Sequence, residues 1–279
     1  MPGTHTSSGE RHAMTKRYQS GESVIDIAKS FGRDRNTVYD ELQRGGVVCH
    51  GRLSWSRRYH VDETFFDVID TEMKAYWLGF ISADGTIAKS RLEVGLAIVD
   101  SSHITKMLDD MKSNHPVRRI QCCVDGVVHE SARIQIGSVK LVRSLARHGV
   151  MPNKSLSLRP CENIPESFHH HYWRGLVDGD GGIGYTYSRG NGSIQWCVYL
   201  AGSEHIVNGF TKWVRRFIDR NPSPQSAGKA WQIKYNGNRT TKVIVQELHR
   251  DATRWLDRKK HLADVVMKVE LQRGMIHAG

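Results

Sequence analysis

Two aspartates, Asp84 and Asp180, stand at matching places in two similar stretches of the 279-residue chain. The first runs Ala75-Tyr76-Trp77-Leu78-Gly79-Phe80-Ile81-Ser82-Ala83-Asp84-Gly85, the second His171-Tyr172-Trp173-Arg174-Gly175-Leu176-Val177-Asp178-Gly179-Asp180-Gly181. Each reads as a helix ending at its aspartate, with a following glycine able to close it in a left-handed conformation. A helix C-terminus carries partial negative charge, so a carboxylate there costs about 0.3–1 kcal/mol. Two such carboxylates brought together also repel each other. A divalent cation between them relieves both costs, and hard oxygen donors of this kind suit magnesium. Paired carboxylates holding metal beside phosphates are the apparatus of metal-assisted phosphodiester hydrolysis. Two unrelated helix caps would use the same residue type, but the shared register speaks against coincidence.

The elements that position the acids are legible around them. Gly79 and Ala83 are four residues apart, as are Gly175 and Gly179. Small residues at that spacing form a smooth strip along which two helix backbones can approach closely. Packing one strip on the other gives a pseudo-twofold axis with both acids at one end. After each helix the apolar residues alternate: Leu92, Val94, Leu96 and Ile98, then Ile194, Trp196, Val198 and Leu200. Period two predicts strands with one buried face. Helices are predicted at 102–112 and 204–219, and further strand around Ile134 and Ile136 and around Trp231, Ile233 and Tyr235. Closing helices are predicted at 138–148 and 240–256. The same order recurring over about 96 positions indicates an internal duplication. If the apolar face covers the helices, the other face is exposed: Ala88, Ser90, Glu93, Arg133 and Gln135 in the first half, and Thr186, Ser188, Gln195, Gln232 and Lys234 in the second. Arg, Gln and Lys on a curved strand ribbon can read bases in a major groove. Arg118, Arg119, Arg143, Arg147 and Arg159 add positive charge around the first half.

Ahead of the duplication, Val24, Ile27, Ala28, Phe31, Val38 and Leu42 recur at helical spacing. Gly32 stops one helix and Asp34 caps the next. Arg35, Asn36, Thr37 and Tyr39 near the start of that second helix suit phosphates and base edges. The segment SVIDIAKSFGRDRNTVYDELQR resembles the helix-turn-helix heads of site-specific recombinases and transposases; an ordinary three-helix bundle would show similar spacing. The resulting division is a disordered tail at 1–13, a helix-turn-helix head at 14–45, a basic linker at 46–62, and repeats at 63–160 and 161–279.

The motifs WLGFISADG and WRGLVDGDG resemble the paired motifs of single-chain LAGLIDADG homing endonucleases. The approach RRYHVDETFFDVIDTEMKAYWLGFISADGTI and the closing stretches HGVMPNKS and WLDRKKH resemble the same family, over roughly residues 57–265. The resemblance implies an α+β fold of two pseudo-symmetric repeats with curved antiparallel sheets, to which the all-α head is added. It implies that Asp84 and Asp180 bind Mg2+ (or Mn2+), helped by the carbonyls of Ala83 and Gly179. It also implies a lysine near the end of each half that assists at the scissile phosphate or positions water: Lys154 in the first, and Lys259 or its neighbour Lys260 in the second. Ser82 and Asp178, at the sixth motif position, are not expected to be catalytic. The implied protein is a monomer of a mobile genetic element that cuts both strands of a long, asymmetric DNA site. The alternatives are a non-catalytic transcriptional regulator on the same fold, which predicts loss of the motif acids, and an RNA-splicing maturase.

Bulk properties agree with a nucleic-acid partner. The formal charge is +11, as expected for a protein that meets a polyanion. Hydrophobic residues at 39% and charged residues at 25% are a globular rather than a disordered balance. No apolar run reaches the roughly 20 residues of a membrane span, and Met1 to Met14 lacks the hydrophobic segment of a secretory signal. The five cysteines, Cys49, Cys122, Cys123, Cys161 and Cys197, form no CxxC pair and suggest neither a disulfide framework nor zinc. His169-His170-His171 has no ligand cluster near it in sequence. An intracellular setting, in the cytoplasm or nucleoid of a bacterial or phage-type host, is the expectation.

Overall fold

A computed structural model of the chain describes residues 6–47, 59–124, 127–187, 193–220 and 222–269. The chain divides into two compact units between Arg58 and Tyr59.

Among the described residues the N-terminal unit has three helices, α1 (Ser8–Gln19), α2 (Val24–Ser30) and α3 (Arg35–Arg44). The Ser7 hydroxyl accepts from Glu10 N–H while the Glu10 carboxylate accepts from Ser7 N–H, a capping box that starts α1. The expected tail at 1–13 is thereby corrected: residues 8–13 are the first turns of a helix, anchored by the fully buried Met14. Met14 completes a small core with Val24, Ile27, Ala28, Val38 and Leu42. Gly32 is left-handed at φ +60° after α2, and the Asp34 side chain accepts from Asn36 N–H at 2.7 Å at the start of α3.

The second unit begins earlier than expected. Residues 59–62, assigned to the linker from sequence, are tied to the first repeat. His60 N–H donates to Asn114 Oδ1 at 2.7 Å and Asp62 N–H to the Met111 carbonyl at 2.9 Å. The Tyr59 ring lies 5.3 Å from that of His115. Residues 48–58 of the expected linker lie outside the described residues.

The first repeat runs α4 (Glu72–Asp84), β1 (Gly85–Ala88), β2 (Arg91–Ala97), α5 (Ser101–Asp110), β3 (Arg118–Val124), β4 (Val127–Gly137) and α6 (Val139–Arg147). The second runs α7 (His169–Asp180), β5 (Gly181–Tyr187), β6 (Ile194–Gly202), α8 (Glu204–Val214), β7 (Gln225–Ala227), β8 (Ala230–Asn236), α9 (Asn238–Leu248) and α10 (Asp257–Lys268). Each forms a four-stranded antiparallel sheet, ordered β1-β2-β4-β3 and β5-β6-β8-β7. The inner faces, with Leu92, Val94, Ile134 and Ile136 on one side and Val198, Leu200, Ile233 and Tyr235 on the other, join α4 and α7 in one hydrophobic core. Apolar burial of both sheets against the same helix pair holds the repeats together as one body.

Two local expectations change. The predicted closing helix at 240–256 stops at Leu248, and α10 follows as a separate helix. The loop between them is drawn inward because the Leu248 and Arg254 carbonyls accept from the buried Arg174 guanidinium at 2.8 and 2.7 Å. Ile194, expected in a buried face, is exposed with Tyr185 and Tyr187, because the β5–β6 hairpin runs past the edge of the core. Among the described residues no helix is long and apolar enough to cross a membrane.

Candidate active site

Helices α4 and α7 meet backbone to backbone. A Cβ on Gly79 would stand 2.1 Å from the Tyr172 carbonyl, and one on Gly175 would stand 2.2 Å from the Tyr76 carbonyl. A Cβ on Gly179 would lie 2.3 Å from the Ala83 Cβ and 3.3 Å from Asp84 Oδ2. The strips of small residues therefore face each other and bring the two motif ends together. The glycines after the acids do not use the left-handed closure expected of them. Gly85 and Gly181 both have extended backbones and lead from helix straight into strand. Glycine is needed there for space: a Cβ would meet the Ile81 carbonyl at 2.6 Å and the Tyr199 carbonyl at 2.4 Å.

Burial and the charge of Asp180 push the Asp84 carboxyl up to about 6. Burial also raises Asp180, while Lys154 and Lys259 pull both acids back down. Asp180 borders a cavity of about 210 Å³ that is also lined by Ala83, Ser82 and Ser155. The lysines sit beneath the helix ends rather than out in solvent, at 6% and 5% exposure. Lys154 Nζ donates to the Gly85 carbonyl at 2.6 Å and to that of Ala83 at 3.3 Å. Lys259 Nζ donates to the carbonyls of Gly181, Val177 and Asp178 at 2.7, 2.8 and 2.6 Å. The Gly85 and Gly181 carbonyls are equivalent, so the two ammoniums occupy pseudo-symmetric places. Each satisfies the carbonyls left open where its motif helix ends and offsets the adjacent acid. Burial lowers both lysines, Lys259 to about 8. Lys260 is turned elsewhere, paired with Asp264 and 5.2 Å over the Trp255 ring. The second half's buried lysine is therefore Lys259.

Buried polar residues outside the expected catalytic set brace the site. Asp178 is buried and accepts from Tyr76 Oη at 2.7 Å and from Leu256 N–H at 2.9 Å. Tyr76 also bonds His103 Nε2 at 2.9 Å. The contact with Leu256 fixes the start of α10, three residues before Lys259. At the matching place in α4, Ser82 is buried. Across the repeats, Glu72 accepts from Arg174 Nη2 at 2.6 Å and from the backbone N–H groups of Thr253 and Arg254 at 2.6 and 3.0 Å. Asp110 takes both a bidentate contact from Arg254 and the indole N–H of Trp77. The three histidines form the first turn of α7. His169 Nε2 bonds the Ile164 carbonyl at 2.9 Å, and His171 Nδ1 bonds Arg174 Nη1 at 2.8 Å.

The strand residues expected to face DNA fall where the alternation put them, with two exceptions. Ala88, Glu93, Arg133, Gln135, Thr186, Gln195, Gln232 and Lys234 lie on the sheet faces turned away from the core. Ser90 is exposed but belongs to the two-residue turn between β1 and β2, so it caps the hairpin instead of lining the sheet. Ser188 lies outside the described residues. In the head, Arg35 and Asn36 are exposed and Thr37 is half-buried, while the Tyr39 ring packs against the small core and is only partly available. The outward faces also hold Arg91, Arg118, Tyr199, Gln225 and Asn236, by the same registers.

The donor set fits a hard divalent cation. Two carboxylates, each raised by burial and one raised further by the other, meet at the helix ends beside the Ala83 carbonyl. Among the described residues no group of three or more His, Cys, Asp and Glu converges on a point. Two carboxylates are what magnesium needs when water and phosphate oxygens fill its other positions.

A helix-turn-helix domain family matches residues 3–45. No curated protein sequence matches the chain. The chain is similar in structure to the homing endonuclease I-WcaI bound to its DNA recognition sequence. That match has 12% identity and a TM-score of 0.53, covering 79% of this chain and 96% of that one. Two others are the LAGLIDADG meganuclease I-AabMI bound to uncleaved DNA (13%, TM-score 0.44, 68% and 87%) and the N-terminal LAGLIDADG domain of DUF199/WhiA (13%, TM-score 0.43, 77% and 100%). The likeness to the first, at 12% identity, is one of fold. The C-terminal unit has the LAGLIDADG homing-endonuclease fold, behind a helix-turn-helix head.

Proposed function

We propose that the chain is a divalent-metal-dependent, sequence-specific endonuclease that cuts both strands of DNA as a monomer. The observation that carries this reading is the pairing of Asp84 with Asp180, each backed by a buried lysine and all set beside two outward sheets of polar side chains. Asp84 and Asp180 would hold Mg2+ (or Mn2+), with the Ala83 and Gly179 carbonyls nearby. When bound, the metal supplies charge stabilisation at a phosphate and an acidified water. Lys154 and Lys259 hold the helix ends and keep the site close to charge balance, which favours approach of a phosphate. The sheets take the two halves of an asymmetric site in the major groove, and Arg35, Asn36 and Thr37 of the head extend the contact. The charge of +11 strengthens binding and makes it salt-dependent. A DNA substrate places the protein inside the cell, and the parent role is that of a mobile element's enzyme.

A purely DNA-binding regulator has no use for two carboxylates forced together at a cost, and this is what favours the enzyme. The test is to separate binding from cutting. Asp84→Asn and Asp180→Asn should each retain affinity for duplexes selected by the wild type and lose cleavage with magnesium. Equal cleavage by both variants and the wild type would remove the active-site assignment. Wild-type binding without cleavage would leave the regulator.

A further inference from the structure

The hydrogen-bond registers superpose the two sheets residue by residue. Gly85 pairs with Val94 where Gly181 pairs with Leu200, and Val94 pairs with Ile134 where Leu200 pairs with Ile233. Val94 is thus the counterpart of Leu200, and Ile134 of Ile233. One step along, Arg133 stands where Gln232 stands, and Gly95 where Ala201 stands. On the outer strands Arg118 pairs with Arg133 and Gln225 pairs with Gln232, so Arg118 is the counterpart of Gln225. All four side chains lie on the faces away from the core, since the neighbouring Ala132, Ile134 and Ile233 are buried. The outward row of the first half is therefore Arg118–Arg133–Gly95, and the same row of the second is Gln225–Gln232–Ala201. The Arg133 side chain lies along its sheet, with Nε 3.5 Å from where a Cβ on Gly95 would stand.

The two rows offer different chemistry to a base edge. A guanidinium has only donors, held in a planar fork that matches the N7 and O6 acceptors of guanine. A carboxamide has one donor and one acceptor group and matches N6 and N7 of adenine. We propose that this row reads guanine in the half-site beneath the first repeat and adenine at the symmetry-equivalent position beneath the second. The target then departs from palindromy at that position in a defined sense. The inference rests on the proposed DNA-reading role of the sheets and adds which bases are read. Its alternative is that Arg118 and Arg133 contact phosphates, which positions a duplex without choosing its sequence.

The full chain is incubated with a pool of random duplexes in the absence of divalent metal, and bound sequences are recovered and read. Viewed outward from the centre of the enriched motif, one matched pair of positions should carry guanine in one half and adenine in the other. Arg118→Gln/Arg133→Gln should turn that guanine into adenine and leave the other positions unchanged. The reciprocal Gln225→Arg/Gln232→Arg should turn the adenine into guanine. Each swap should change discrimination at its position by about 5- to 150-fold, the range of one good bidentate contact. Uniform weakening of all sequences with a shallower salt dependence in the arginine variant would assign phosphate contacts and overturn the inference. So would a reciprocal variant that keeps its adenine. A wild-type pool with no enriched motif at all would instead remove the DNA-reading proposal, and this one with it.

Discussion

Replacing Asp84 by asparagine should make the metal-free protein more stable at neutral pH. The carboxyl is raised from 3.8 to about 6, first by burial and then by Asp180. A shift of that size corresponds to roughly 3 kcal/mol held against the charged form. The side chain is partly open to solvent, and screening brings the usable figure to about 1–2 kcal/mol. The folded state binds this proton more tightly than the unfolded one. Wild-type stability therefore falls as pH rises from about 4 to about 6 and stays low above that. Asparagine removes the charge at nearly constant shape, so the variant should gain its advantage over the same interval. For a body of this size the gain corresponds to about 2–8 °C in Tm. Thermal unfolding from pH 4 to 8 with chelator present reads it directly, the two curves converging at the acid end. Magnesium should then raise the Tm of the wild type more than that of Asp84→Asn. The reasoning is refuted if the variant is no more stable than the wild type at pH 8, or if magnesium raises both equally.

Four further substitutions and one truncation test the remaining structure. Gly175→Ala puts a methyl 2.2 Å from the Tyr76 carbonyl, and denaturant unfolding should show a loss of at least about 3 kcal/mol, the upper end of overpacking. Lys259→Met takes the ammonium from three carbonyls, of which Val177 keeps the Gly181 N–H, and Lys154→Met takes it from two, so both should destabilise, at about 1–3 kcal/mol for each group left unsatisfied. Glu72→Gln leaves the fully buried Arg174 without its counter-charge, which should cost about 3–5 kcal/mol in urea titrations. Removing residues 1–50 should lower affinity for the selected duplex and flatten its salt dependence, while cleavage persists at high protein concentration. Complete inactivity there would mean that the head belongs to the catalytic fold.

The opening helices were legible because several local signals coincide: the glycine spacing, the repeated aspartate and the strand alternation after each. Alternation also placed Arg133, Gln135, Gln232 and Lys234 on the outward faces, because a strand fixes side-chain direction at every residue. β3 was not legible as a strand. Arg118-Arg119-Ile120-Gln121 has no clean period two, since this edge strand reaches beyond the core and has little apolar surface to bury. Arg118 therefore read as diffuse charge and not as the partner of Arg133. α10 was hidden by the loop before it, whose course is set by Arg174 and Glu72 from distant parts of the chain. Tyr39 looked like a reader of DNA and turned out to pack its ring against the head core, half-buried, because a helix start exposes only part of each turn. The direction of Lys154 and Lys259 onto carbonyls is likewise a long-range fact, spanning 69 residues between Lys154 and Gly85 and 78 between Lys259 and Gly181.

The measurement that bears most directly on the central claim is the sequencing of the ends left when the wild type acts on a random duplex pool with magnesium. Ends are expected at one fixed pair of positions, one on each strand, flanking the centre of the same motif that the protein selects by binding. Those ends should disappear in the Asp84→Asn/Asp180→Asn double variant. An uncut pool in which that motif is bound, or identical ends from the double variant, would contradict that claim.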